Sequence, residues 1–251
     1  MRGGLLVIGA HPDDEVLLAG GTLAACAAAG TPTGVVCLTR GEKGSIADPA
    51  LATRQTLGDV RLQELRASCA ELGVDYVKCW RRDDGNLKWS NRSAIIRQLA
   101  KLVEAHRPDA VITFGEDGLY YHPDHVAVHE LTVRAVDRLG DPPALYRSVW
   151  PKALMRELER ELRRRSLSSD LWELEPEEFG TDDVSGSFAI DVSPFVERKV
   201  LALMAHRTQM PDSNAFVVLP RRLLDRFLGT EWFAPINRWG PGWLSEVVAV
   251  G

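Results

Sequence analysis

Two short stretches of the sequence concentrate side chains that bind metals and transfer protons. The first reads "AHPDDE" at residues 10–15, and the second reads "HPDH" at residues 122–125. Two histidines and a carboxylate, with one coordination position left open, form a recognised catalytic zinc set. We therefore predict that His11, Asp14 and His125 bind a metal ion.

The acid beside the predicted carboxylate ligand has a different role in this interpretation. Neighbouring side chains at the start of a helix point in different directions, so Asp13 is not expected to bind the same ion as Asp14. Zinc lowers the pKa of a bound water molecule to about 7, and a nearby carboxylate takes the proton of that water as it attacks a carbonyl carbon. We predict that Asp13 is this general base.

Three side chains around the second stretch are predicted to stabilise the negative charge that such an attack creates. His122 is the candidate donor to the oxyanion, Asp124 is expected to orient its imidazole ring, and Tyr120 is a second donor. Helix capping is the alternative interpretation, because Pro and Asp favour the first turn of a helix. Capping needs one side-chain acceptor, however, and requires neither His11 at the end of the strand nor two adjacent acids.

Short apolar runs alternate with longer helical patterns in the first part of the chain. The runs rich in β-branched residues lie at 5–9, 33–39, 76–80 and 110–114. The helical patterns lie at about 15–30, 59–73, 92–106 and 125–138. This alternation predicts a parallel sheet covered by helices. Ligands of such sheets bind beyond the carboxyl ends of the strands, so both stretches that contain HPD are expected to meet at one edge.

The sequence pattern changes near residue 142. We interpret residues 1–141 as the core that carries the metal site. Residues 142–251, with a strand at 187–192, are expected to pack beside the sheet and close the site. The whole chain is interpreted as one domain, because single α/β units often reach 251 residues.

Composition and charge argue against several classes of protein. The net charge of −5 is unfavourable for nucleic acid as the main partner, because nucleic-acid-binding surfaces are basic. No apolar run approaches the roughly 20 residues that a membrane span needs. The four cysteines form no CxxC pair and are expected to be reduced thiols. We see no secretion signal and expect a cytoplasmic protein; a homo-oligomer is compatible with the sequence.

Six motifs span most of the chain, from about residue 5 to residue 235. They are "AHPDDE", "TRGEKGS", "RLQEL", "YYHPDH", "KVLALMAHRTQ" and "GTEWF". Together they resemble the PIG-L, or LmbE-like, deacetylase family. The resemblance implies an α/β fold with a Rossmann-like, mostly parallel sheet, helices on both faces and a smaller C-terminal α+β portion. It also implies metal-dependent removal of an N-acyl group, typically acetate, from a glucosamine-containing small molecule or glycolipid.

The resemblance implies the same roles that the residue types suggest: His11, Asp14 and His125 bind the metal, Asp13 is the base, and His122 is the oxyanion donor. It further implies that Arg61 and one acid of "RRDDGN" contact sugar hydroxyls, and of the two acids Asp83 is preferred over Asp84. Glu42 in "TRGEKGS" is a candidate for shaping the substrate pocket, with stabilisation of a turn as the alternative role.

Other functions stay open at this stage. An amidase that cleaves thiol S-conjugates would use the same site. Two histidines and a carboxylate also form the non-haem iron(II) oxygenase triad, although an oxygenase has no need of Asp13. A sugar-binding module without turnover is the alternative that is not an enzyme. Zinc is the expected metal and iron(II) the alternative, because ligand type alone does not separate them. The expected partner is a small N-acyl amino sugar.

Overall fold

One mixed β-sheet organises the part of the chain that the computed structural model describes, which comprises residues 3–167, 179–182, 184–210, 214, 219–237 and 242–248. The strands are β1 (Leu5–Gly9), β2 (Thr33–Thr39), β3 (Tyr76–Arg82), β4 (Ala110–Thr113), β5 (Ala144–Val149), β6 (Phe188–Asp191) and β7 (Thr230–Pro235). Their spatial order is β3-β2-β1-β4-β5-β7-β6.

Five neighbouring strands of this sheet, from β3 to β5, are parallel, and β7 is antiparallel to both of its neighbours. Every residue of β1, β2 and β4 is buried, which is why these strands appear in the sequence as continuous apolar runs. The structure therefore confirms the predicted α/β fold with a mostly parallel sheet. β3 extends two residues beyond the predicted run.

Helices connect the strands and cover both faces of the sheet. They are α1 (Asp14–Ala28), α2 (Leu57–Leu72), α3 (Arg92–His106), α4 (Gly118–Tyr121), α5 (Pro123–Val136), α6 (Lys152–Arg164), α7 (Val196–Ala205), α8 (Arg221–Leu228) and α9 (Gly242–Val248). The chain moves outwards from β1 to β3 and then crosses back to β4, so right-handed connections place α1 and α2 on the face opposite α3 and α5. None of the helices within the described ranges combines the length and the apolar character needed to cross a membrane.

The strands of the later part of the chain extend the sheet, and its helix α7 packs against α1 and α2. β5 pairs in parallel with β4, and β7 and β6 then continue the sheet in antiparallel pairing. This corrects the predicted arrangement for residues 142–251. The pairing is physically favourable, because it gives partners to the backbone groups that β4 would otherwise leave exposed at an edge.

Helix α1, which begins at the metal-binding stretch, is broken at Ala19. The φ of −165° and ψ of 31° at this residue interrupt the helical hydrogen bonds. The carbonyl of Leu17 instead accepts a hydrogen bond from Nε1 of Trp150 at 3.0 Å. The break separates the first turn of α1, which faces the site, from the rest of the helix, which packs in the core.

A buried ion pair stabilises the second segment of α1. The Glu231 carboxylate accepts the N–H groups of Gly21 and Thr22, both at 2.8 Å, and so replaces the helical acceptors that the break removes. Nζ of Lys199 lies 2.7 Å from the same carboxylate. Glu231 therefore connects β7, α7 and α1.

We expect Glu231→Gln to lower the free energy of unfolding by about 3 kcal/mol, because the buried amino group of Lys199 would lose its anionic partner. Chemical denaturation of the purified variant measures this change. Asp225→Asn is the control, since Asp225 pairs with Arg221 at 2.7 Å on an exposed helix face and should matter little. Equal, small effects of both substitutions would contradict the role assigned to Glu231.

The cysteines are free thiols, as the sequence predicts. Cys26, Cys37 and Cys69 are buried, and Cys79 is partly exposed. Burial raises the pKa of Cys26 to about 12 and that of Cys79 to about 11. Thiols with such pKa values are inert as nucleophiles and metal ligands near neutral pH.

Candidate metal centre

The two stretches that contain HPD meet at the carboxyl edge of the sheet. β1 and β4 are parallel neighbours, so the segments that follow them emerge side by side. His11 follows β1 directly, whereas His122 and His125 lie at the beginning of α5. All three line a cavity of about 380 Å³.

The three predicted metal ligands lie close together in this cavity. Nε2 of His125 is 3.3 Å from Nδ1 of His11 and 3.2 Å from Oδ1 of Asp14, and Nδ1 of His11 is 3.8 Å from Oδ2 of Asp14. Ligand atoms around a tetrahedral zinc ion are about 3.3–3.6 Å apart, given metal–ligand distances of about 2.0–2.2 Å. The donor types therefore fit one ion, with His125 and His11 approaching different oxygens of the Asp14 carboxylate. A ring nitrogen of His122 also lies within 4.8 Å of those of His11 and His125.

The ring nitrogens that face away from this centre have their own partners. Nε2 of His11 contacts Oδ1 of Asp84 at 3.0 Å and Oδ2 of Asp124 at 3.4 Å. Nδ1 of His125 lies 3.1 Å from the carbonyl oxygen of Gly118. Histidines that bind metals characteristically donate their second N–H to a carboxylate or a carbonyl, which fixes the ring. Nδ1 of His11 and Nε2 of His125 are thereby oriented towards the common centre.

Asp14 is held in its ionised form. Its Oδ2 accepts the N–H groups of Ala10 and His11, both at 2.7 Å. Burial opposes ionisation, but the neighbouring His125 and His11 together with these N–H groups hold the pKa of Asp14 well below its usual range. An ionised, buried carboxylate between two imidazoles is suited to a bound cation.

Asp13 lines the same cavity as the three predicted ligands and pairs with Arg61. Its Oδ2 lies 2.9 Å from Nη2 of Arg61, which also donates to the carbonyl of Pro12 at 2.6 Å. Burial raises the pKa of Asp13, and the charge of Arg61 opposes that rise. Asp13 precedes α1 without making a capping hydrogen bond, so capping does not explain this acid. Arg61, predicted as a substrate contact, lines the cavity and is already paired with Asp13.

The prediction that Asp124 orients His122 is wrong. The Asp124 carboxylate accepts the N–H groups of Gly85 and Leu87, at 2.7 and 3.0 Å, and faces His11. Only the backbone N–H of Asp124 reaches His122, donating to its Nδ1 at 3.3 Å. The loop after β3 approaches the start of α5 closely enough to supply these donors, which no local pattern reveals.

His122 is neutral near physiological pH. Burial, followed by the charges of His125 and His11, lowers the pKa of His122 to about 4. Because its Nδ1 accepts a hydrogen bond, the proton of the neutral ring lies on Nε2. His122 can therefore donate a hydrogen bond without carrying a positive charge.

Tyr120 lines the cavity beside these histidines, with its ring centre 5.2 Å from that of His125 and 5.7 Å from that of His122. Burial raises the pKa of Tyr120 far above its usual range, so its hydroxyl stays protonated and can donate. The flanking residues Leu119 and Tyr121 have positive φ values of 67° and 61°. The turn that carries Tyr120 is thus held in a conformation that such residues rarely adopt.

Asp84, and not the preferred Asp83, reaches the cavity. Asp84 is 5% exposed, and burial opposes its ionisation, but the hydrogen bond and charge of His11 lower its pKa to about 2. The side chain of Asp83 is 60% exposed and pairs with Lys43 at 2.9 Å. Glu42 does not appear among the described cavity residues; its Oε1 accepts the N–H of Asp84 at 3.1 Å and so supports the turn that carries Asp84.

Sequence reasoning missed several polar residues of the cavity. Lys43, Ser45 and Gln209 also line it. Lys43 and Ser45 belong to "TRGEKGS", which follows β2. Because β2 ends at the same edge of the sheet as β1 and β4, this position could have identified them as candidate site residues. Gln209 comes from "KVLALMAHRTQ", and among the described lining residues it alone comes from the later part of the chain.

Fold and site together define a Rossmann-like α/β protein with a candidate His₂Asp metal centre and an additional, partly buried carboxylate beside it. Comparison with known protein families is consistent with this class. The family described as "PIG-L: GlcNAc-PI de-N-acetylase" matches residues 6–136. The chain belongs to this family, which confirms the resemblance inferred from its motifs.

Similar proteins are found both by sequence and by structure. The chain is 33% identical to the 1D-myo-inositol 2-acetamido-2-deoxy-alpha-D-glucopyranoside deacetylase of Acidothermus cellulolyticus, over 91% of this chain and 87% of that protein. The solved structure of the N,N'-diacetylchitobiose deacetylase of Pyrococcus horikoshii is similar with a TM-score of 0.64 at 24% identity, over 94% of this chain and 84% of that one.

A protein with a different reaction has the same fold. The 4-carboxy-2-hydroxymuconate hydratase of Pseudomonas putida matches with a TM-score of 0.64 at 18% identity, over 96% of this chain and 98% of that one. Structural similarity at such identities shows the fold alone. The reaction must therefore be argued from the site.

Proposed function

We propose that the protein is a metal-dependent deacetylase that hydrolyses the N-acetyl amide of a small N-acetylglucosaminyl compound. The observation that carries this proposal is one cavity in which a closely spaced His₂Asp set lies beside the separate carboxylate of Asp13. The names of the sequence relatives support the substrate class, since the Acidothermus cellulolyticus relative is named as a deacetylase of an acetamido-glucopyranoside of inositol.

Zinc is the metal we propose for this site, with iron(II) as the alternative. His11, Asp14 and His125 would hold it, and their two nitrogens and one oxygen suit either ion. When bound, such a metal supplies a Lewis acid and lowers the pKa of a water molecule in the site.

The side chains of the protein account for the movement of protons. Asp13 accepts a proton from the water molecule that attacks the acetyl carbon, while Arg61 holds the Asp13 carboxylate in place. Nε2–H of neutral His122 donates a hydrogen bond to the oxygen that gains negative charge, and the protonated hydroxyl of Tyr120 is the second donor. As the C–N bond breaks, the amine takes up the proton that Asp13 accepted from the water, and acetate and the free amino sugar are released.

The cavity suits one sugar ring with a small substituent. Its volume of about 380 Å³ lies at the lower end of the range for small-molecule sites. Side chains that can bond to hydroxyl groups surround the metal ligands, namely Lys43, Ser45, Arg61, Asp84 and Gln209.

Acetate release from a panel of N-acetylglucosaminyl compounds tests this proposal. The purified protein is assayed as isolated, after chelation, and after addition of zinc or iron(II). We expect release that chelation abolishes and metal restores. A thiol S-conjugate tests the amidase alternative, an unsaturated hydroxy-acid tests hydration, and oxygen uptake with a keto acid tests the oxygenase. Activity in one of these three arms without acetate release would contradict the proposal.

Asp84 and Asp83 form a matched pair for testing whether the contact of Asp84 with His11 strengthens zinc binding. We expect Asp84→Asn to weaken zinc binding about 10- to 100-fold, because the carboxylate partner of a ligand histidine contributes this much. Asp83→Asn should bind zinc as the unmodified protein does, since Asp83 is exposed and contacts Lys43. Competition with a chromophoric chelator measures both affinities. Equal affinities of the two variants would contradict the contact between Asp84 and His11.

A further inference from the structure

The backbone of Asp13 is held in a conformation that residues with side chains rarely adopt. Its φ of 105° and ψ of −26° lie in the left-handed region. Such a conformation is costly and persists only where surrounding contacts enforce it. Arg61 supplies one contact, through the carbonyl of Pro12 and the Asp13 carboxylate. Glu15 supplies another, because its Oε2 accepts the N–H of Asp13 at 2.9 Å.

Glu15 is itself fixed from two distant parts of the chain. Its Oε1 accepts the hydroxyl of Ser68 on α2 at 2.5 Å and pairs with Nε2 of His206, which follows α7, at 2.7 Å. All three side chains are buried. Glu15 is absent from the described residues that line the cavity, whereas Asp13 and Asp14 are present. Any effect of Glu15 on substrate must therefore pass through another residue.

We propose that Glu15, fixed by Ser68 and His206, is a positioning residue that holds the Asp13 backbone in its left-handed conformation. In this way it directs the Asp13 carboxylate into the cavity. The inference rests on the proposed function, because it takes Asp13 as the general base. It also assigns a role to His206, a residue of the "KVLALMAHRTQ" motif that lies 191 positions after Glu15 in the sequence.

Glu15→Gln tests the positioning role. The amide keeps the size of the side chain but has one acceptor oxygen, and its NH₂ group would face the donors that the carboxylate now satisfies. We expect kcat to fall about 10- to 100-fold, as a displacement of about 1 Å at a reacting group does. KM and zinc affinity should stay unchanged, because neither substrate contacts nor ligands are altered.

Glu64→Gln is the matched control for this substitution. Glu64 is a buried carboxylate that accepts the N–H and the hydroxyl of Thr208, at 2.8 and 2.6 Å, and it does not contact Asp13. We expect Glu64→Gln to lose about as much thermal stability as Glu15→Gln, but to keep a kcat close to that of the unmodified protein. A drop in kcat of the same size in both variants would show that Glu15 has only a structural role.

Combination with Asp13→Asn separates this inference from the proposed function. If Glu15 acts only through Asp13, the double variant should turn over as slowly as Asp13→Asn alone. If the double variant instead lost kcat by the product of the two single losses, the positioning role would be overturned. Normal turnover of Asp13→Asn would instead overturn the assignment of the base. An impaired Asp13→Asn beside a fully active Glu15→Gln would refute the positioning role and leave the base assignment intact.

Substitutions of His206 keep the inference testable if Glu15→Gln does not fold. Glutamine places an amide N–H where Nε2 of His206 lies and can still donate to Glu15, whereas leucine cannot. We expect His206→Leu to lower kcat about 10-fold and His206→Gln to restore most of that loss. Equal kcat values in the two variants would contradict the proposal.

Discussion

Asp13→Asn is expected to lower turnover by about 100- to 10,000-fold while the protein keeps its metal. Asparagine has the same shape as aspartate but cannot accept a proton. It also tolerates the left-handed backbone better than most residues, so the conformation with φ of 105° should be retained. Arg61 keeps its hydrogen bonds to the carbonyls of Pro12 and Gly41 and is not left without partners.

Turnover and zinc content should be measured on the same preparation of Asp13→Asn. The control is Asp59→Asn, because Asp59 also pairs with an arginine, Arg40, at 2.6 Å but lies on the surface. We expect this control to retain normal turnover. A zinc-loaded Asp13→Asn with nearly normal turnover would mean that another group takes the proton of the attacking water.

The position of the site could be predicted because it follows from sheet topology. The predicted runs 5–9 and 33–39 coincide with β1 and β2, since buried parallel strands appear as continuous apolar segments. Parallel strands bring their carboxyl ends to one edge, so His11 and His125 had to approach each other once β1 and β4 became neighbours.

The partners of the site residues could not be predicted from the same pattern. Asp124 bonds to the N–H groups of Gly85 and Leu87, which precede it by 39 and 37 positions. Asp83 and Asp84 are adjacent and chemically identical in the sequence, and only the fold gives them different partners, Lys43 for Asp83 and His11 for Asp84. Such contacts depend on how two loops pack, and local periodicity contains no information about that packing.

The arrangement of the later part of the chain could not be predicted from local sequence patterns either. An antiparallel addition to a parallel sheet does not follow from the alternation of strands and helices. The "GTEWF" motif is weak as a sequence signal, yet its Glu231 bonds to the N–H of Gly21, 210 positions earlier. This contact stabilises the break of α1 at Ala19. The apolar helical sequence of α1 gives no sign of that break.

His125→Ala is expected to remove both the bound metal and the turnover. Nε2 of His125 is the ligand atom that lies near both of the others, 3.3 Å from Nδ1 of His11 and 3.2 Å from Oδ1 of Asp14. Alanine leaves two ligands, and the buried carboxylate of Asp14 loses its neighbouring imidazole. Zinc content after extensive dialysis, measured together with acetate release, checks this expectation. Retention of one zinc ion per chain would contradict the ligand role.

Two other histidines distinguish loss of a ligand from damage to the fold. His129→Ala removes a buried imidazole one turn further along α5, where Nδ1 of His129 lies 2.8 Å from the carbonyl oxygen of Phe114; zinc should be retained. His122→Ala should also retain zinc but lose turnover, because His122 is assigned as the oxyanion donor. Zinc loss in all three variants would indicate a damaged helix. Zinc loss in His122→Ala and His125→Ala alone would make His122 a ligand, in agreement with its ring nitrogen lying within 4.8 Å of the other two.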